Sequence, residues 1–138
     1  MPEASDSSGE SPDPVVEALR RCTDGPLYSV VRFDPDDFRI LHVADETAEP
    51  YPTETAMVER FEKIFAYVGI DFAEKALFSD VLLSDAGTVR YMTTSLDSLK
   101  VVRIYEGSEG LFLGVDPDEA VPPLVETADE HLFEFRDR

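Results

Sequence analysis

Apolar and polar positions change period several times along the chain, and each change marks an element. Val15, Val16, Leu19 and Cys22 recur at helical spacing. Asp13-Pro14 before them combines an N-cap residue with proline at the first helical position, and Gly25-Pro26 ends the segment. Leu27–Phe33 (LYSVVRF) and Phe38–Ala44 (FRILHVA) are rich in β-branched and aromatic residues and predict two strands. Asp34-Pro35-Asp36-Asp37 between them is turn chemistry, so the two strands form a hairpin with a four-residue loop.

Met57, Phe61, Ile64, Phe65 and Val68 make the clearest amphipathic helix, with Thr53 as its cap. Gly69 stands where a left-handed C-terminal residue belongs. Asp71 and Glu74 offer a capping-box pair for a second helical piece to about Phe78. Val81–Leu83 is a short apolar stretch, and Ser84–Gly87 is a turn. Strands follow at 88–94, 99–105 and 111–115, the last two joined by a turn at Glu106–Gly110. Asp116–Glu119 leads into a final helix with an apolar stripe of Val121, Leu124, Val125, Ala128 and Leu132.

The order is therefore α-β-β-α-β-β-β-α. Short turns between consecutive strands predict an α+β fold, a mostly antiparallel sheet of about five strands with helices packed on it. Residues 1–12 read as a disordered acidic tail whose composition cannot offset the entropy of ordering. Residues 13–138 then form a single domain. This order of elements, over residues 14–132, resembles the roadblock/longin group of profilin-like folds. The resemblance is one of topology, and it implies a dimerising adaptor that serves small GTPases or motor complexes. A second resemblance rests on the strings VVRFDPDDFRILHVADE, TVRYMTTSLDSLKVVRIYEG and GLFLGVDPD. They look like a group of small acidic haloarchaeal proteins of unknown function. Phe33 and Phe38 stand where tyrosine is usual in that group, and His42 stands at its last aromatic position.

Hydrophobic residues are 43% of the chain and aromatics 10%, enough for a packed core. Charge changes the picture more: 30 Asp+Glu against 12 Lys+Arg give a net charge of −18. In dilute salt that charge opposes the compact state. At molar salt the Debye length falls to about 3 Å and the repulsion is screened. The acids are dispersed along the chain, which points to a salt-adapted surface and a requirement for high salt. The same field argues against direct nucleic-acid binding and against an anionic membrane surface. Cys22 is the only cysteine, so an intramolecular disulfide or a Cys-based zinc cluster is excluded. No apolar run approaches the length of a membrane span, and the opening residues lack the basic and apolar regions of a signal peptide, so the cytoplasm is the expected location.

Catalytic, metal and cofactor groupings do not stand out. His42 has no elbow-borne serine to serve, and His131 is placed near a helix end where a cation suits the dipole. Asp34, Asp36 and Asp37 crowd one turn without the ligand ladder of a calcium loop. Gly107-Ser108-Glu109-Gly110 neither opens a helix nor ends in lysine, as a phosphate loop would. The arginines carry more information. The four strand segments 27–33, 38–44, 88–94 and 99–105 contain no Asp or Glu, yet they hold Arg32, Arg39, Arg90, Lys100 and Arg103. If Phe33 pairs with Phe38, Arg32 lies opposite Arg39, on one face with Tyr28, Val30, Leu41 and Val43, and like charges so placed are unfavourable. An acidic group is then expected over them: a carboxylate of the same chain, a partner's acidic segment, or a small carboxylate or phosphate ligand held bidentately. The candidate interaction or anion site is therefore Arg32, Arg39, Arg90, Arg103 and Tyr28. The sequence points to a non-enzymatic interaction or dimerisation module, with a protein partner or a second copy; the alternative is a sensor of small anionic ligands.

The charge yields a first test. Thermal unfolding should be cooperative in molar KCl and should lose cooperativity in low-salt buffer, where the carboxylates repel. Equal melting temperatures in the two conditions would contradict a salt-adapted surface.

Overall fold

Five strands join into one antiparallel sheet in the order β2-β1-β5-β4-β3, in a computed structural model that describes residues 13–136, with side chains to His131. The strands are β1 (Leu27–Phe33), β2 (Phe38–Val43), β3 (Tyr91–Ser95), β4 (Lys100–Glu106) and β5 (Glu109–Val115). The helices are α1 (Pro14–Cys22), α2 (Asp45–Ala48), α3 (Glu54–Phe65), α4 (Val68–Ala76) and α5 (Pro122–Arg136). The α+β class and its antiparallel sheet are as the pattern predicts. The acidic segment 1–12 and Leu132 on the last stripe lie outside the residues and side chains described.

Local chemistry explains the ends of these elements. Asp13 Oδ1 accepts from Val15 N at 3.0 Å, and Thr53 Oγ1 accepts from Ala56 N at 3.0 Å, so α1 and α3 start where their caps stand. Asp34 Oδ1 accepts from Asp36 N and Asp37 N, each at 2.8 Å, which fixes the β1–β2 turn. Phe33 therefore pairs with Phe38 and Arg32 with Arg39. β4 and β5 are joined through Gly107 and Ser108, and Gly107 takes φ 63°, as a tight hairpin turn requires.

The sheet buries both faces. Against α1 and α5 lie Val30, Val102, Ile104, Leu111, Leu113 and Val115, packed on Val15, Val16, Leu19, Leu124, Val125 and Ala128. Glu119 closes one end of that layer: its two carboxylate oxygens accept from Asp24 N and Gly25 N, each at 3.0 Å. The opposite face carries α3, whose Met57, Phe61 and Phe65 bury against Val31, Phe33, Tyr105 and Phe112. Rings dominate here: Phe65 stacks on Phe38 at 5.0 Å and meets Phe112 edge-on at 5.2 Å.

Several expectations are corrected. A bulge in β2 opposite Val30 and Val31, with Leu41 the extra residue, turns Val43 to the α3 face, whereas Val30 and Leu41 stay on the α1–α5 face. Gly69 has no positive φ and lies inside α4; the helix breaks earlier, at Ala66 and Tyr67. Asp71 is not a cap, because its carboxylate bonds across to β4. Leu77–Leu82 forms a π-helical turn and Ser84–Ala86 a 3-10 turn, so β3 begins at Tyr91, three residues later than expected. His131 lies inside α5, which runs on to Arg136, and its Nδ1 is 2.9 Å from Thr127 O. No helix among the described residues is long and apolar enough to cross a membrane.

Gly110 sits opposite Phe33 on β1 and Tyr105 on β4. A Cβ there would stand 2.7 and 2.9 Å from two Phe33 ring carbons. Gly110→Ala should therefore destabilise the fold by about 1–3 kcal/mol through overpacking, read as a lowered melting temperature. An unchanged melt would show that the Phe33 ring is free to move aside.

Candidate functional site

The candidate arginines divide between the two faces of the sheet. Arg32 and Arg39 stand opposite each other on the α1–α5 face, and Glu109 Oε1 lies 3.5 Å from Arg32 Nη2. Arg39 is exposed. Arg90 precedes β3 and pairs with Asp129 of α5, with β5 and β4 standing between it and Arg32. Arg103 lies on the other face, under α4. Tyr28 is half-buried, and its carbonyl accepts from Ala44 N at 2.9 Å and from the Thr47 hydroxyl at 3.1 Å. These residues are not brought to one pocket, and Arg32, Arg90 and Arg103 each meet a carboxylate of the same chain.

Arg103 is the hub of a different arrangement. Its Nη1 lies 3.2 and 3.3 Å from the two oxygens of Asp71 on α4, and its Nη2 donates to Thr94 Oγ1 on β3 at 2.8 Å. The Tyr105 hydroxyl donates to Asp71 Oδ2 at 2.9 Å. Burial, with the neighbouring Asp71 carboxylate, raises the phenol well above its usual range, so the hydroxyl stays a donor. Arg103 and Asp71 keep only 19% and 17% of their side-chain surface exposed. Arg103 Nε is buried with no partner among the described residues. Beside this group a cleft of about 250 Å³ opens between the α3–α4 junction and the sheet, lined by Ile64, Tyr67, Val68, Thr94, Arg103 and Phe112.

That cleft borders the most unusual surface of the molecule. Ten large apolar side chains are exposed among the described residues, and all lie between residues 64 and 96. Tyr67 and Ile70 are each 62% exposed, and Val81 is 68% exposed; Leu77, Phe78, Leu82 and Leu83 continue the surface. None of residues 69–90 is buried. The segment runs directly into β3, which has a neighbour on one side only among the described residues. Exposed apolar side chains gathered in one segment that leads into an edge strand are a general feature of surfaces through which proteins associate.

Sequence reasoning placed its site on the arginines and missed this one. A signal was present. From Tyr67 to Leu83 the apolar residues are spread all round the helix, more than one buried face can use. The Asp71–Arg103 contact left no such trace, because the partners are 32 residues apart.

Comparison with known proteins fits this architecture. Residues 13–133 match the family described as a domain of unknown function (DUF7522). The crystal structure of a Roadblock/LC7 domain from Streptomyces avermitilis superposes with a TM-score of 0.64 at 15% sequence identity, over 93% of this chain and 97% of that one. The fold is thus roadblock-like, as the order of elements suggested. Among curated proteins, none matches the chain.

His42 faces Arg20 from α1, with Asp45 and Glu46 nearby. Its Nε2 is 3.1 Å from Leu27 O and its Nδ1 is 3.1 Å from Arg20 Nη2, which assigns the proton to Nε2 and leaves Nδ1 to accept from the guanidinium. Burial, the largest influence, lowers its pKa from 6.5; the Leu27 carbonyl opposes that, and Arg20 adds to it. A lowered histidine pKa means that the folded state binds fewer protons than the unfolded state, so stability should fall as pH drops below 6.5. His42→Gln should flatten that part of the pH–stability curve in denaturant titrations. An identical slope in the variant would contradict the assignment.

Proposed function

We propose that this chain, which belongs to the DUF7522 family, is a non-enzymatic interaction module that forms a homodimer through the edge of β3 and the apolar surface from Ile64 to Leu96. One observation carries the reading: among the described residues, ten exposed large apolar side chains lie in the segment that leads into and includes a strand with an unpaired edge. A second copy is the favoured partner because of charge. The chain bears −18 overall, whereas residues 64–96 hold few acids, and one of them, Asp71, is engaged by Arg103. Two copies repel wherever their ordinary surfaces meet; the patch is where contact costs least. A two-fold axis through it gives a self-complementary interface and leaves the other faces free for an adaptor role. The roadblock-like fold supports interaction or dimerisation in general terms. The arginine-bearing face lends the small-anion alternative less support, since Arg32 and Arg90 already meet carboxylates.

Salt should tighten such a dimer. Molar KCl screens repulsion between the copies and strengthens apolar association, whereas an interface held by exposed ion pairs would weaken. Sedimentation equilibrium in molar KCl should give twice the chain mass. Val81→Asp with Leu82→Asp should weaken association at least tenfold while leaving the circular dichroism unchanged. A strictly monomeric wild-type chain, or a doubly substituted chain that dimerises as well as wild type, would defeat the proposal.

A further inference from the structure

The proposed interface has two halves from distant parts of the chain, the α4 and π-turn segment and the edge strand β3. Something has to hold them in register. Apolar packing does little of this beyond Val68, since no residue from 69 to 90 is buried. Phe72 contributes partly, with its ring 5.6 Å from Tyr105 and 6.0 Å from Phe33. The polar group does the rest. From its place on β4, the Arg103 guanidinium reaches Asp71 on α4 with one nitrogen and Thr94 on β3 with another. Tyr105, also on β4, donates to the same Asp71. On the other side of the segment, Ser79 Oγ accepts from Val89 N at 3.1 Å, which ties the π-turn only to the loop that follows it.

We propose, on the basis of the dimer reading above, that Asp71, Arg103 and Tyr105 are positioning residues for the interface. They fix the apolar segment 68–83 against the edge strand so that both present one surface to the second copy. The geometry favours this over a general packing role for two reasons. The guanidinium and the carboxylate lie over β4, next to the edge strand, and of the three residues only Tyr105 belongs to the ring cluster with Phe33 and Phe65. The group also contacts both halves of the surface at once. A lysine in place of Arg103 has no planar fork to span Asp71 and Thr94 together. The pair is four-fifths buried, so molar salt screens it far less than an exposed pair, and it persists under the conditions that favour the dimer.

The test uses the full chain in molar KCl and reads two quantities, the dimer dissociation constant and amide hydrogen exchange. Asp71→Asn and Arg103→Lys should each raise the dissociation constant at least tenfold. Each should speed exchange in residues 68–90, with β1 and β5 changed by less than about two-fold, as expected for a locally opening unit. Tyr105→Phe removes one hydroxyl and keeps the ring. It provides a milder arm, expected to weaken the dimer by about three-fold. Dimers of all three variants as tight as wild type overturn the inference while leaving the dimer reading intact. Loss of protection spread equally over β1 and β5 also overturns it, because that is the mark of a general packing role. A monomeric wild-type chain overturns both.

Discussion

The connection between β2 and β3 has to carry the chain from one edge of the sheet to the other. That constraint organises most of the molecule. The crossing segment begins well, with α3 sinking Met57, Phe61 and Phe65 into the ring cluster. It ends poorly: beyond Val68 the segment rides over the sheet margin with nothing buried until β4. A carboxylate on α4, met by a guanidinium and a phenol from β4, joins this second half to the sheet. An isolated buried pair adds little to stability. Here the same atoms decide where an apolar surface sits, which matters more than the net energy of the pair.

The opposite layer has no such weakness. α1 and α5 cover it with small and branched side chains, and Glu119 satisfies the two backbone amides that lead into β1. Lys100 Nζ then donates to the Glu119 carbonyl at 2.7 Å and anchors the loop before α5 to β4. One face is therefore closed, and the other is half closed. The open half is where the apolar side chains gather, which gives the molecule a polarity suited to association.

The sequence made local matters legible. The Asp34 turn is self-contained, so the pairing of Arg32 with Arg39 followed from counting across it. Caps at Asp13 and Thr53 announced their helices for the same reason. What failed was long-range. The bulge, with Leu41 the extra residue of β2 between the Val30–His42 and Val31–Ile40 pairs, lies beyond the reach of the turn, and it moved Val43 to the other face. Asp71 and Glu74 looked like a capping box because the spacing fits. The carboxylate instead found Arg103, which no local pattern reveals. The arginines drew attention because strands free of acids are unusual in so acidic a chain. Arg32, Arg90 and Arg103 meet carboxylates from β5, α5 and α4, each far away in sequence.

In the proposed dimer, the surface from Ile64 to Leu96, with the edge of β3, meets its own copy. Nuclear Overhauser contacts between differently labelled chains, mixed in molar KCl, address this directly. The account predicts contacts between copies from the methyl groups of Ile70, Val81 and Leu82 and from the amides of β3. Contacts confined to other surfaces, such as α1 or the outer edge of β2, or no contacts between copies at all, would contradict it.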